Sequence, residues 1–234
     1  MVTLPHPAAE PHPAAGADGA TGLIVRRPLH EEVATRLRDL ITQGNIPAGA
    51  RLNEVALCAQ LGVSRTPLRE GVRVLAGEGL VELVPARGAV VRRLTVKVVA
   101  DSLTVLKSLE TLAGHLACAQ ASDDAVEEVA ALHSAMMDRY AARDRLAYFK
   151  LNQAIHAAIV ALPGNETLAW AHKAIGARMR HIRYVGNAGP EKWAAAVAEH
   201  EEMMRALHLR DGEALATVLG LHLDRTLDRV RDFL

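Results

Sequence analysis

Residues 52–93 read LNEVALCAQLGVSRTPLREGVRVLAGEGLVELVPARGAVVRR, and the apolar period changes within this stretch. Asn53, a good N-cap, opens a short helix through Val55, Leu57 and Cys58 to Leu61, and Gly62 stops it. After a tight turn, Ser64 is placed to cap a second helix. Arg65, Thr66, Pro67 and Arg69 at its start combine long cations, a hydroxyl and a proline tolerated only in the first turn. Val63, Leu68, Val72 and Leu75 recur at helical spacing and form a buried stripe, which leaves Arg65, Arg69 and Arg73, at steps of four, on the opposite face. Beyond Gly77 and Gly79 the period becomes two. Leu80, Glu82 and Val84 alternate against Val81 and Leu83, Pro85-Ala86-Arg87-Gly88 turns, and Ala89-Val90-Val91 returns.

Helix, tight turn, helix and two-stranded ribbon are the layout of a winged helix-turn-helix, with the second helix placed to read duplex DNA. Arginine suits that task because its planar fork bonds guanine O6 and N7 together in the major groove, or clamps phosphate oxygens. Arg87, at the tip of the ribbon, can reach a phosphate or an adjacent narrow minor groove. The competing reading is a solvated helix face on a protein-interaction module.

The rest of the chain sets the context. At 234 residues it is long enough for two compact domains, and its character changes near residue 94. Residues 1–27, rich in Pro, Ala and Gly and without an apolar run, read as a disordered tail. No stretch is apolar enough for a secretory signal or a membrane span, so a cytoplasmic protein is expected. Cys58 and Cys118 are isolated in apolar helical stretches and read as small buried residues, not as a redox pair. The formal net charge is zero, but residues 51–93 hold seven Arg against four Glu, so the basicity is local. DNA affinity should therefore fall with salt, and sequence selectivity must come from groove contacts.

From residue 98 onward the apolar spacing is helical throughout, for example Leu103, Leu106, Leu109, Leu112, Ala113 and Leu116. Breakers separate helices over 101–119, 124–142, 146–162, 165–186, 190–210 and 213–233. The fold class is therefore mainly α: a winged helix-turn-helix over 28–93 with a small β wing, a linker at 94–97, and an all-α bundle of about six helices over 98–234. Asn152 and His156 share one helix face a turn apart, and His200 and His222 lie on two later helices. If those helices converge, an amide oxygen and three imidazoles make a ligand set for a divalent transition metal; otherwise these are core or surface histidines. His115, His133 and His208 are read as packing or surface residues.

Residues 47–91, with LHEEVATRLRDLITQGNI at 29–46 before them, resemble the DNA-binding domain of GntR-type bacterial transcription regulators. The resemblance implies that Ser64, Arg65, Thr66 and Arg69 contact bases and phosphates, beside Arg73 in the same row, and that Arg87 and Gly88 form the wing tip. Where some members carry an Arg near the start of the first helix of the unit, this chain has Val55, so no phosphate contact is expected there. LNQAIHAAIVALPGN, AEHEEMMRALHLRDGEAL and LGLHLDRTL resemble the metal-bearing segments of the FCD domain, the effector domain of the FadR subfamily. That resemblance implies a metal held by Asn152, His156, His200 and His222, with Asn standing where the family usually has Asp. The substitution removes a charge and favours a nitrogen-liking ion such as zinc or nickel. It also makes Lys107, Arg178, Arg180 and Arg183 candidates to bind a small organic acid, with His172 and His181 in the same stretch.

Together these imply a ligand-responsive homodimer on palindromic operator DNA, a repressor released by its effector, with no membrane partner. No nucleophile and base pair and no Gly-rich phosphate cradle point to catalysis. The alternative is a helical metal-binding protein or metalloenzyme whose N-terminal unit serves assembly.

Overall fold

The computed structural model describes residues 28–186 and 188–231; the expected disordered tail at 1–27 lies outside them. The N-terminal unit is α1 (Leu29–Thr42), α2 (Glu54–Leu61), α3 (Arg65–Gly77) and a hairpin of β1 (Val81–Val84) with β2 (Gly88–Val91). Asn53 caps α2 as expected, its side-chain oxygen accepting from the Val55 and Ala56 amides at 3.1 Å, and Gly62 ends it in the left-handed region at φ 66°. Ser64 sits at the N-cap of α3 with extended backbone, but its hydroxyl makes no capping bond. Leu68, Val72 and Leu75 bury the inner stripe of α3 against Val33, Leu37 and Ile41 of α1. Gly71 lets these helices approach, because a Cβ there would stand 2.9 Å from Val33 Cγ1 and 3.1 Å from two backbone atoms of α1. One position of the expected stripe, Val63, is only half-buried, and Val55 on α2 is 65% exposed.

The wing is antiparallel, Val81 facing Val91 and Val84 facing Gly88. Arg87 N–H donates to the Val84 carbonyl at 3.1 Å to close the tip, and Ala86 takes φ 61° there. Residues 49–52 run along the other side of β2: Leu52 N–H donates to Ala89 O and Val91 N–H to Ala50 O, both at 2.8 Å. That places Arg51 beside the wing.

The C-terminal unit is α4 (Val96–Gln120), α5 (Asp123–Ala141), α6 (Arg145–Ala161), α7 (Glu166–Arg178), α8 (Arg180–Gly186), α9 (Pro190–His208) and α10 (Gly212–Arg231). Among the described residues the bundle thus has seven helices, not six, because the segment expected to be continuous over 165–186 breaks at Met179 (φ −90°, ψ 0°). The Met179 side chain is buried against α4 beside Leu103 and Leu106, which anchors the break. Residues 92–95 join β2 to α4, so residues 96–97, expected in the linker, are helical, with Thr95 as the cap. The long pair α4 and α10 packs closely at Gly114, where a Cβ would lie 2.9 Å from the Ala216 nitrogen. Although aromatic residues are few, Tyr140, Tyr148 and Trp193 form a cluster with centroids 5.0–6.2 Å apart, Trp193 standing edge-on to both tyrosines. On α4, Leu103, Leu106 and Ala113 are buried as expected, whereas Leu112 is 46% exposed, in line with exposed Val98 and Val105. Cys58 and Cys118 are free and half-buried. Among the described residues no helix is long and apolar enough to cross a membrane.

The two units touch. Lys150 of α6 pairs with Asp39 of α1 at 2.6 Å, and His181 Nδ1 donates to the Thr42 carbonyl at 3.0 Å. The Arg178 side chain lies over Gly79, after α3, where a Cβ would meet its Nε at 2.8 Å.

Candidate DNA interface and buried imidazole site

The row Arg65, Arg69 and Arg73 is exposed on the outer face of α3, and Ser64 and Thr66 are exposed at its N-terminus. Arg87 and Gly88 are exposed at the wing tip, so α3 and the wing offer the expected set to a duplex. Gly88 takes φ +78°, and Arg51 stands near it, 3.8 Å from where its Cβ would be. Arg51 therefore joins this face, a cation that reading the helices alone passed over because it precedes the capped helix. Arg69 is already engaged: Glu54, at the start of α2, accepts from its Nε at 3.0 Å. The pair is exposed, so it adds little to stability, but it holds the Arg69 fork in place beside the recognition face. The unbonded Ser64 hydroxyl is free to donate to a phosphate.

In the bundle, α6, α9 and α10 converge. His156, His200 and His222 are buried, with ring centroids 4.9–5.3 Å apart and a nitrogen of each within 4.8 Å of the others. Sequence spacing alone left that convergence open. Two glutamates that sequence reasoning did not single out orient the rings. Glu110 of α4, fully buried, accepts from His156 Nδ1 at 2.8 Å and from His172 Nε2 at 2.9 Å. Glu199 accepts from His222 Nδ1 at 2.7 Å and is paired with Arg225 and Arg229. Donation from Nδ1 makes Nε2 the nitrogen that each of these two rings can offer to a ligand.

Burial lowers His156 to about 4, against the opposing charge and hydrogen bond of Glu110. Burial and then the neighbouring imidazoles push His200 well below its ordinary value. Burial disfavours the Glu110 carboxylate, but His156, His172 and the charge of Arg183 together hold it well below the usual range. At neutral pH His156 and His200 are therefore neutral, and His156 donates to an ionised Glu110 carboxylate. His156 Nε2 and His200 Nδ1 are buried without a hydrogen-bond partner, and a buried polar atom left unpaired is costly. Neutral, converging imidazoles with unpartnered nitrogens fit a divalent, nitrogen-liking cation.

Asn152 is buried beside them, with Nδ2 2.6 Å from His200 Nε2. Of the four candidate cations, Arg183 is buried close enough for its charge to bear on His156 and His200. The others lie elsewhere. Lys107 pairs with Asp224 at the surface, Arg178 covers Gly79, and Arg180 faces the Arg38–Glu78 pair between the units. His181 serves the contact between units, and His115 is exposed near Glu213.

Residues 29–91 match the family described as bacterial regulatory proteins, gntR family, and residues 101–225 match the FCD domain. The chain belongs to the GntR family of transcription regulators, a winged helix-turn-helix joined to an FCD domain; this is not an enzyme family. Among individual relatives, it is 32% identical over 194 residues to the "Probable D-xylose utilization operon transcriptional repressor" of Paenarthrobacter nicotinovorans, covering 81% of this chain and 85% of that one. It is 30% identical over 192 residues to the Nta operon transcriptional regulator of Aminobacter aminovorans, covering 80% and 87%. The solved structure of McbR/YncC from E. coli shares the fold, with a TM-score of 0.76 at 20% identity over 89% of this chain and 99% of that one.

Proposed function

We propose that this regulator binds operator DNA as a homodimer and responds to a small organic acid through a divalent metal, zinc or nickel, in the FCD domain, acting as a repressor of the FadR subfamily in the cytoplasm. The observation that carries the DNA half is the exposed row Arg65, Arg69 and Arg73 set beside the wing tip at Arg87 and Gly88. One α3 covers a few base pairs, so a twofold pair of heads is needed for a palindromic site. Support for pairing comes from Val98, Val105 and Leu112, exposed at seven-residue spacing on α4.

The sensing half rests on the three converging imidazoles, two of which, His156 and His200, have a buried nitrogen without a partner. When bound, the metal supplies a Lewis-acidic centre that can take a carboxylate. His156, His200 and His222 would hold it, Glu110 and Glu199 would fix the rings, and Arg183 would lend positive charge to an anion. Binding then shifts DNA affinity only if the acid prefers one arrangement of the bundle.

The test is an anisotropy titration against DNA upstream of the protein's own gene, over a salt series. Arg65→Ala and Arg69→Ala should each weaken specific binding by about 1–3 kcal/mol without unfolding the chain; unchanged binding in Arg69→Ala would refute the recognition-face assignment. In parallel, metal content of protein purified without chelator should exceed that of His156→Ala, and equal, negligible content in both would remove the metal.

A further inference from the structure

Glu54 stands among the cations of the DNA face, where a carboxylate works against attraction to phosphates. It opens α2, where the Asn53 cap fixes the backbone and the helix N-terminus favours a negative charge. Its carboxylate is turned onto Arg69, in the second turn of α3. Arg69 Nε donates to Oε1 at 3.1 Å and to Oε2 at 3.0 Å, and Nη2 lies 3.0 Å from Oε2. The side of the guanidinium is thereby taken, while Nη1 has no hydrogen bond or ion pair among the described residues. The end of the fork keeps a pair of parallel donors, one on Nη1 and one on Nη2. Arg65 and Arg73 of the same row face no carboxylate among the described residues. A phosphate approaching Arg69 meets the charge of Glu54 as well, whereas a neutral pair of acceptors meets no such repulsion. Guanine O6 and N7 are such a pair and match two parallel N–H donors; adenine sets one acceptor beside a donor.

We propose that Glu54 is a positioning residue for base recognition: by holding the side of the Arg69 guanidinium it commits that arginine to a guanine in each half-site and withholds it from the phosphate backbone. This rests on the operator-binding reading above.

The probe is the duplex that the full-length wild-type chain enriches from a randomised library, remade with 7-deazaguanine, which lacks the N7 acceptor, at one guanine at a time. Affinity for these duplexes and for random DNA is measured by anisotropy over a salt series. The proteins are wild type, Arg69→Ala, Glu54→Ala and the double variant, each checked for folding by circular dichroism. In wild type, 7-deazaguanine at one position of the half-site should weaken binding by roughly fivefold or more, the lower end of what a bidentate guanine contact is worth. Arg69→Ala should no longer register that substitution. Glu54→Ala should also cease to register it, yet bind random DNA as tightly or more so, with a salt slope steeper by about one, because the freed guanidinium turns to a phosphate. In the Arg69→Ala background, removing Glu54 should alter no base preference. If Glu54→Ala still registers the substitution, or its salt slope is unaltered, Arg69 needs no support from Glu54. If no position is silenced by Arg69→Ala, Arg69 reads no guanine. If Glu54→Ala removes a base preference in the Arg69→Ala background, Glu54 reads a base itself. Each of these overturns the proposal and leaves operator binding standing. Should Glu54→Ala fail to fold, Glu54→Gln decides by the slope: removing the charge should steepen it, and an unaltered slope overturns the proposal. Failure of wild type to enrich any duplex over random DNA refutes the operator reading, and the proposal with it.

Discussion

Glu110 occupies a position that the periodicity of α4 assigns to the core, in register with Leu106, Ala113 and Ala117, and it is fully buried. A carboxylate there is tolerable because two imidazole N–H groups donate to it. Glu110→Gln keeps the size and removes the charge, so it should weaken zinc binding by roughly 10–100-fold, as loss of a partner behind a ligating histidine does; unaltered zinc affinity would mean that Glu110 does not orient His156. The same burial gives a pH signature. In chelator-stripped protein the folded His156 stays neutral down to about 4, while the unfolded chain protonates it near 6.5. A depressed folded value means stability is full above about pH 7 and is lost as pH falls from 6.5 toward 4, by roughly 3 kcal/mol from this residue. Thermal melts between pH 7.5 and 4.5 should show that decline, and a flat melting temperature would contradict it. The histidines of the site were legible because the segments that carry them resemble the metal-bearing segments of the FCD domain. Glu110 and Glu199 were harder, since their roles depend on which helices meet; the one signal for Glu110 was a charge inside an apolar stripe.

At the scale of elements, helix–helix spacing turns on single glycines. Ala has the higher helix propensity by about 1 kcal/mol, so a Gly→Ala change should help wherever space permits. At Gly77, near the end of α3, a Cβ would meet nothing within 4 Å, and Gly77→Ala should stabilise by up to about 1 kcal/mol. At Gly114 the obstruction is backbone, Ala216 nitrogen at 2.9 Å and Cα at 3.0 Å, so α4 and α10 must separate. Gly114→Ala should destabilise by about 1–3 kcal/mol, read by urea denaturation; the same sign for both changes would show that propensity, not spacing, decides. The head elements were readable from sequence because caps, turn residues and a period change coincide at 53–91. The break at Met179 was not, because no Pro, and no Gly at the break itself, marks it; a buried methionine docking on α4 sets it by tertiary contact. Leu112 misled for a related reason, since one bundle cannot cover every apolar position of a 25-residue helix.

For the whole molecule, α6 and α8 each present two faces. α6 carries Asn152 and His156 inward and Lys150 outward onto Asp39, while α8 carries Arg183 inward and His181 outward onto Thr42 O. In the proposed sensor, a shift of either helix would be passed directly to α1 of the head through these contacts. If the proposed ligand response runs through this contact, Lys150→Ala with His181→Ala should leave DNA affinity in the absence of ligand near its wild-type value but abolish any change in it on adding zinc with a carboxylate. Retention of that effect would exclude this contact as the route. Sequence gave no hint of the contact, because a surface lysine and aspartate 111 residues apart carry no spacing rule. The connector adds a limit of another kind. Only residues 92–95 separate the end of β2 from α4, and four extended residues span at most about 14 Å. A head released from the bundle can therefore follow the DNA axis by roughly four base pairs at 3.4 Å each, so in the proposed dimer the length of this tether, more than the recognition helix, bounds how far apart two operator half-sites can lie.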